Sequence, residues 1–155
     1  MRAEDLQIGD LLRVNRDGLC IKKGTVVTVR GIDGSNNFPE KGLYGVADCR
    51  PLDESQFQGG IWLDYLDPIP LTPEILEKNG FENVSVITVG TAKMRWVSED
   101  TRTEITIWMD DTLPMEIVKN VYYEDEVSYT LPFPGTVHQL QHALRLCEID
   151  KQITL

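Results

Sequence analysis

The stretch Ile69-Pro-Leu-Thr-Pro-Glu-Ile-Leu-Glu-Lys-Asn-Gly-Phe81 constrains this chain more than any other, because it spells a short helix with both ends marked. Thr72 can accept from the first free amides as N-cap, Pro73 suits the first helical position, and Leu71 can staple onto Leu76. Gly80 closes the helix, since the left-handed residue past a helix end is one that glycine adopts at least cost. Phe81 then packs back on Leu76. The residues before and after this helix follow different patterns, so it divides the 155 residues into segments 1–70 and 71–155.

From Leu6 to Leu66 the chain reads as short strands punctuated by Gly, Asn and Asp, with no sustained helical period. Leu11-Leu12-Arg13-Val14 follows the Ile8-Gly9-Asp10 turn, Thr25 to Ile32 is rich in β-branched residues, and Leu43 to Cys49 and Ile61 to Leu66 add two runs. Strands this short favour a small barrel, because closure hides the edges an open sheet leaves exposed. Residues 33–42 and 50–60 are loops by composition, and Gly31, Gly34, Gly59 and Gly60 read as turn residues. Tyr44, Phe57, Trp62 and Tyr65 lie on or beside the strands. Each either fills the core or lines a groove suited to peptide docking or base stacking.

After the capped helix, Val84 to Val89, Lys93 to Val97, Thr103 to Met109, Ile117 to Tyr123 and Glu126 to Leu131 alternate as consecutive antiparallel strands do. Ile105, Ile107 and Met109 share one face, and Glu104, Thr106 and Trp108 share the other, which leaves Trp108 partly exposed or covered by another element. Thr136 to Cys147 is helical: at roughly 100° per residue, Val137, Leu140, Ala143, Leu144 and Cys147 form one apolar stripe. His138, Gln141, His142, Arg145 and Glu148 fall opposite, with Leu146 stranded among them. Lys151 to Leu155 alternates like a short edge strand or ends loose.

The net charge of −10 is carried unevenly, −3 over residues 1–70 and −7 over 71–155, and argues against broad binding to a phosphate backbone. Glu124-Asp125-Glu126 reads as a solvated turn. The opening Met1-Arg2-Ala3-Glu4-Asp5-Leu6 has acids where a secretory signal needs basic residues and then an apolar run, and no later run reaches the length of a membrane span. A cytoplasmic protein without membrane contact is expected. Cys20, Cys49 and Cys147 are odd in number and far apart, so they are expected to be reduced and mostly buried, with no zinc knuckle.

No residue stands in a nucleophile elbow, a cysteine–histidine pairing or a phosphate loop, and the acid pairs Asp110-Asp111 and Asp64 with Asp67 have no spacing that fixes a catalytic separation. No catalytic residue, cofactor or enzyme activity is therefore assigned. His138 and His142, four apart on one helical face, have the geometry to chelate a metal, but a metal site also needs a third ligand and supporting groups around it, and Gln139 stands where the zinc-protease pattern has Glu. A polar or partner-contacting face is the expectation there, and no metal site is assigned.

Two segments carry a family resemblance: Ile69 to Phe81 as quoted above, and Val137-His-Gln-Leu-Gln-His-Ala-Leu-Arg-Leu-Cys-Glu-Ile-Asp150. The chain resembles a family of small uncharacterised proteins encoded by gut Bacteroidetes, often in phage-like or mobile regions. Leu6-Gln-Ile-Gly-Asp10 with the strands after it looks like the start of that family's SH3-like or KOW-like barrel. Glu148 stands where the family has a glycine after the last helix. The patterns above and the resemblance together lead to an expected α+β fold, with an SH3-like β-barrel over 1–70 and, over 71–155, an antiparallel β-meander flanked by two helices; the resemblance brings no catalytic residues. The expected function is a non-catalytic interaction protein of mobile-element type, touching an unknown protein partner through Trp62 and Tyr65 of the barrel and through His138, His142, Arg145 and Leu146 of the last helix. The alternatives are an acidic mimic that antagonises a nucleic-acid-binding protein, and direct nucleic-acid binding by the barrel through Lys22, Lys23 and Arg30.

Overall fold

Backbone pairing builds two antiparallel sheets, one from residues before the capped helix in the chain and one from residues after it. The computed structural model describes residues 2–18, 20–38, 43–53, 59–85, 91–98, 103–110, 115–121, 127–131 and 135–155. Two compact units are present, Met1–Ile69 and Pro70–Leu155.

In the first unit, β1 (Leu11–Val14), β2 (Val26–Phe38), β3 (Leu43–Pro51), β4 (Gly59–Trp62) and β5 (Leu66–Pro68) pair in the order β4-β3-β2-β1-β5. The two-residue period of a strand sends Leu12, Val14, Val27, Val29, Ala47, Cys49 and Ile61 to one side. There they form a single core with Leu6, Leu63 and Leu66. The Leu6–Asp10 turn is fixed by its acid: the Asp10 carboxylate is fully buried and accepts from the Gln7 N–H at 2.7 Å. Gly9, at φ 93°, donates its N–H to the Val29 carbonyl at 2.7 Å.

Several sequence expectations need correction in this unit. The sheet does not close into a barrel, because β4 and β5 stand at its two edges with no pairing between them among the described residues. Ile61 to Leu66 is not one strand, since a 3-10 turn, Leu63–Tyr65, interrupts it and inserts Leu63 into the core. Residues 33–38 are not loop: they extend β2, with Asp33 opposite Val46 and Phe38 opposite Leu43 across a register shift. Gly31 and Gly34 thus lie within a strand, as do Gly59 and Gly60, paired with Cys49 and Asp48. A Cβ on Gly60 would come within 2.6 Å of Val46 Cγ1, so close strand packing, not a turn, requires glycine there.

In the second unit, α1 (Pro73–Lys78) leads into β6 (Glu82–Asn83), β7 (Thr91–Ser98), β8 (Thr103–Asp110), β9 (Met115–Val121) and β10 (Val127–Leu131), and α2 (Val137–Leu146) follows. The strands pair in chain order, an antiparallel meander, and with the two helices make an α+β arrangement. Both ends of α1 form as its residues dictate. Thr72 Oγ1 accepts from the Ile75 N–H at 3.4 Å, and Gly80, at φ 79°, donates to the Glu77 carbonyl at 2.9 Å. Phe81 donates to the Leu76 carbonyl at 3.0 Å, and Leu71, Leu76 and Phe81 are all buried.

Met94, Ile107 and Ile117 are register neighbours on β7, β8 and β9 and have no exposed surface, so they mark the core face of this sheet. Lys119 donates from that face to the Cys147 carbonyl at 2.7 Å, which places the end of α2 over it. On the opposite face the Lys93 ammonium lies 4.7 Å from the centroid of the Trp108 ring, and Trp108 is 40% exposed.

Instead of the strand expected from Val84, the short β6 pairs with β7, and residues 86–90 lie outside the described residues. The closing segment is neither an edge strand nor loose. Asn79, buried at the end of α1, accepts from the Thr154 N–H at 2.8 Å and donates to the Thr154 carbonyl at 2.7 Å, while Ile153 is buried. The amide side chain offers one donor and one acceptor side by side, which matches one residue of extended backbone. Among the described residues no helix is long and apolar enough to cross a membrane.

Candidate functional site

The residues after β1 are tied to the 3-10 turn that joins β4 to β5. The Asn15 N–H donates to the Tyr65 carbonyl at 2.9 Å, and Asn15 Nδ2 donates to the Asp64 carbonyl at 3.1 Å and to Asp67 Oδ1 at 2.9 Å. That anchoring places the Arg16 guanidinium over the Tyr65 ring, 4.1 Å from its centroid. Tyr65 is half-buried, in contact with both the core and Arg16. Trp62, opposite Val46 on β4, is also half-buried. The two aromatic residues flank the turn that buries Leu63, so neither is wholly absorbed by the core. Phe57 and the side chain of Tyr44 lie outside the described residues. The Asp67 carboxylate is engaged by Asn15 and holds loop to strand, while Asp64 takes part there through its backbone carbonyl.

The last helix departs from its expected polar face. His138 is 6% exposed and Gln141 8%, and His138 Nδ1 lies 3.0 Å from Thr136 Oγ1, the N-cap hydroxyl. His142 is half-buried and meets His138 edge to face, with ring centroids 5.7 Å apart. His138 and Gln141 of this face are thus buried instead of solvated, and His138 is paired with the N-cap hydroxyl. Arg145 and Leu146 are the exposed residues of α2, Leu146 at 65%. Among the described residues no group of three or more His, Cys, Asp or Glu is placed to hold a metal ion. Asp110 ends β8, and Asp111 and the run Glu124 to Glu126 lie outside the described residues.

The three cysteines are free, with Cys20 exposed and Cys49 and Cys147 buried. Burial pushes the Cys49 thiol up to about 12, with the Asp48 charge adding to the effect. Burial also raises Cys147, partly offset by Lys119. Neither thiol is poised as a nucleophile, since only the thiolate attacks.

Lys22, Lys23 and Arg30 do not form one patch by any contact in the structure. Lys22 and Lys23 are exposed at the turn before β2, where the Lys23 N–H donates to Asp17 Oδ1 at 2.9 Å. Arg30 instead belongs to a cleft of about 500 Å³ lined also by Thr28, Arg50, Pro51 and Leu52, which sequence reasoning missed. Its signal was the cross-strand pairing of Thr28 with Arg50, visible only once Arg50 and Pro51 are known to end β3 instead of opening a loop. Comparison with family models, with curated proteins and with solved structures returns no match.

Proposed function

We propose that the protein is a non-catalytic interaction protein whose first unit is an SH3-like module that binds an extended apolar segment of a protein partner. The observation that carries this reading is the half-buried Tyr65 on the 3-10 turn, with the Arg16 guanidinium 4.1 Å from its ring centroid and Trp62 at the start of the same turn. Flat rings set on a rigid turn give a peptide large contact area at low entropic cost. The strand order β4-β3-β2-β1-β5, with a 3-10 turn between the last two strands, favours the SH3-like assignment of an open, five-stranded sheet. Arg145 and Leu146 form a second, smaller contact surface in the other unit.

The test is capture from nuclease-treated lysate of the native host on immobilised protein, comparing wild type with Tyr65→Ala, Arg16→Ala and Leu146→Ser. The reading expects a discrete protein that survives nuclease, is lost with Tyr65→Ala and is weakened with Arg16→Ala. Retention in Tyr65→Ala together with loss in Leu146→Ser would move the binding surface to α2. Capture of nucleic acid alone would replace the reading with direct nucleic-acid binding.

A further inference from the structure

β2 and the end of β3 border the cleft of about 500 Å³ lined by Thr28, Arg30, Arg50, Pro51 and Leu52. Thr28 and Arg50 face each other across the ladder, and Arg30 sits at the register shift between Val29 and Gly31, where the extra residue re-aims the strand. Both arginines are exposed. The ion pairs among the described residues join Arg2 to Glu4 and Asp5, and Arg95 to Glu104, so neither Arg30 nor Arg50 has a carboxylate partner there. Asp48, opposite Gly31 on β3, forms no ion pair with either. In a chain with 25 acids and 15 bases, two guanidiniums lining one cleft without a carboxylate partner among the described residues are a local exception to the charge balance. Leu52, 50% exposed, and the buried Pro51 supply an apolar wall beside them.

We infer that this cleft binds a phosphomonoester, with its phosphate between Arg30 and Arg50, the Thr28 hydroxyl as a further donor, and the organic part against Pro51 and Leu52. The charge matches: a phosphomonoester carries close to two negative charges at neutral pH, where a carboxylate or a phosphodiester carries one. Its three terminal oxygens can accept from two guanidinium forks and a hydroxyl together, which the two oxygens of a carboxylate do less well. A nucleic-acid backbone would also bring neighbouring phosphates against an acidic chain. The cleft volume falls in the range of about 300–1,000 Å³ typical of small-ligand sites. The same phosphate chemistry is offered by a nucleotide-sized metabolite and by a phosphorylated side chain of another protein. No residue of the Trp62 and Tyr65 surface takes part, so the two readings stand or fall separately.

The experiment is calorimetric titration of the full chain with adenosine 5′-monophosphate, adenosine, a phosphoserine peptide, its unphosphorylated form and a short single-stranded oligonucleotide. Wild type is compared with Arg30→Gln, Arg50→Gln and Arg50→Lys, each checked for an unchanged melting temperature. Binding of at least one phosphomonoester is expected, with no binding of its unphosphorylated counterpart. The affinity should fall at least about tenfold in each Gln variant, and also in Arg50→Lys, which keeps the charge but loses the fork. Tighter binding of the nucleotide identifies a metabolite as the source, and tighter binding of the peptide identifies a modified protein. The inference is overturned if neither phosphomonoester binds, if binding is unchanged in the Gln variants, or if the oligonucleotide binds as tightly per phosphate as the monoesters.

Discussion

Two single residues set the local geometry most sharply. Glu148 follows α2 at φ 60°, donating its N–H to the Arg145 carbonyl at 2.9 Å, while Ile149 donates to the Leu144 carbonyl at 2.9 Å. This is the helix-ending arrangement that Gly80 makes after α1, built here with a side chain whose Cβ is disfavoured in that region. Glu148→Gly is therefore expected to raise stability by about 0.5–1 kcal/mol, read from chemical denaturation. Asp10 is the opposite kind of residue, a fully buried carboxylate that accepts from the Gln7 N–H. Asp10→Ala leaves that donor without its acceptor and is expected to cost about 1–3 kcal/mol, whereas Asp10→Asn, which keeps an oxygen in place, should cost less.

The Cys49 thiol gives the protein an alkaline limit. Its folded value, about 12, lies above the ordinary 9.0, so the folded state holds this proton more tightly than the unfolded chain. The contribution is fully present below the ordinary value and is lost as pH rises toward the folded one. Stability should fall between about pH 9 and 12, and Cys49→Ala should flatten that part of the profile at the expense of a small cavity. In the native state only Cys20 should react rapidly with a thiol reagent at pH 8, with Cys49 and Cys147 following on unfolding.

At the level of elements, α1 was legible in the sequence because every determinant of its ends is local: Thr72, Pro73, Gly80 and Phe81 act within one turn of the helix. The meander from β7 to β10 was legible for a similar reason, since alternation in a strand is a short-range pattern. What escaped depends on residues distant in sequence. The interruption of Ile61 to Leu66 follows from Leu63 meeting a core built by β1, β2 and β3. The burial of His138 and Gln141 reflects packing around α2 that no helical period records. Docking of 151–155 depends on Asn79, 75 residues before Thr154 in the chain. The aromatic surface was half legible: Trp62 and Tyr65 stood out as residues, but the 3-10 turn that presents them and the Arg16 contact did not. Asn15→Ala tests that element-level link. It removes the side-chain bonds to Asp64 and Asp67, and should loosen Arg16 from Tyr65, seen as a change in tyrosine near-ultraviolet dichroism with the fold retained.

On the scale of the whole molecule, the buried core cluster described for the first unit runs from Leu6 to Leu66, all within Met1–Ile69. A fragment of residues 1–69 is accordingly expected to fold alone and unfold cooperatively, and a fragment without a thermal transition would contradict this. The acid excess is concentrated in residues 71–155, so the fragment should also be much closer to neutrality than the full chain. The proposed division of labour places recognition of a protein on the first unit. Its most direct test is photo-cross-linking in host lysate with benzoylphenylalanine placed at position 62, at position 146, or at the exposed position 13 as a control. The account predicts a discrete protein adduct from position 62 that is suppressed by Tyr65→Ala and absent from position 13. An adduct from position 146 alone, or from none of the three, would contradict it.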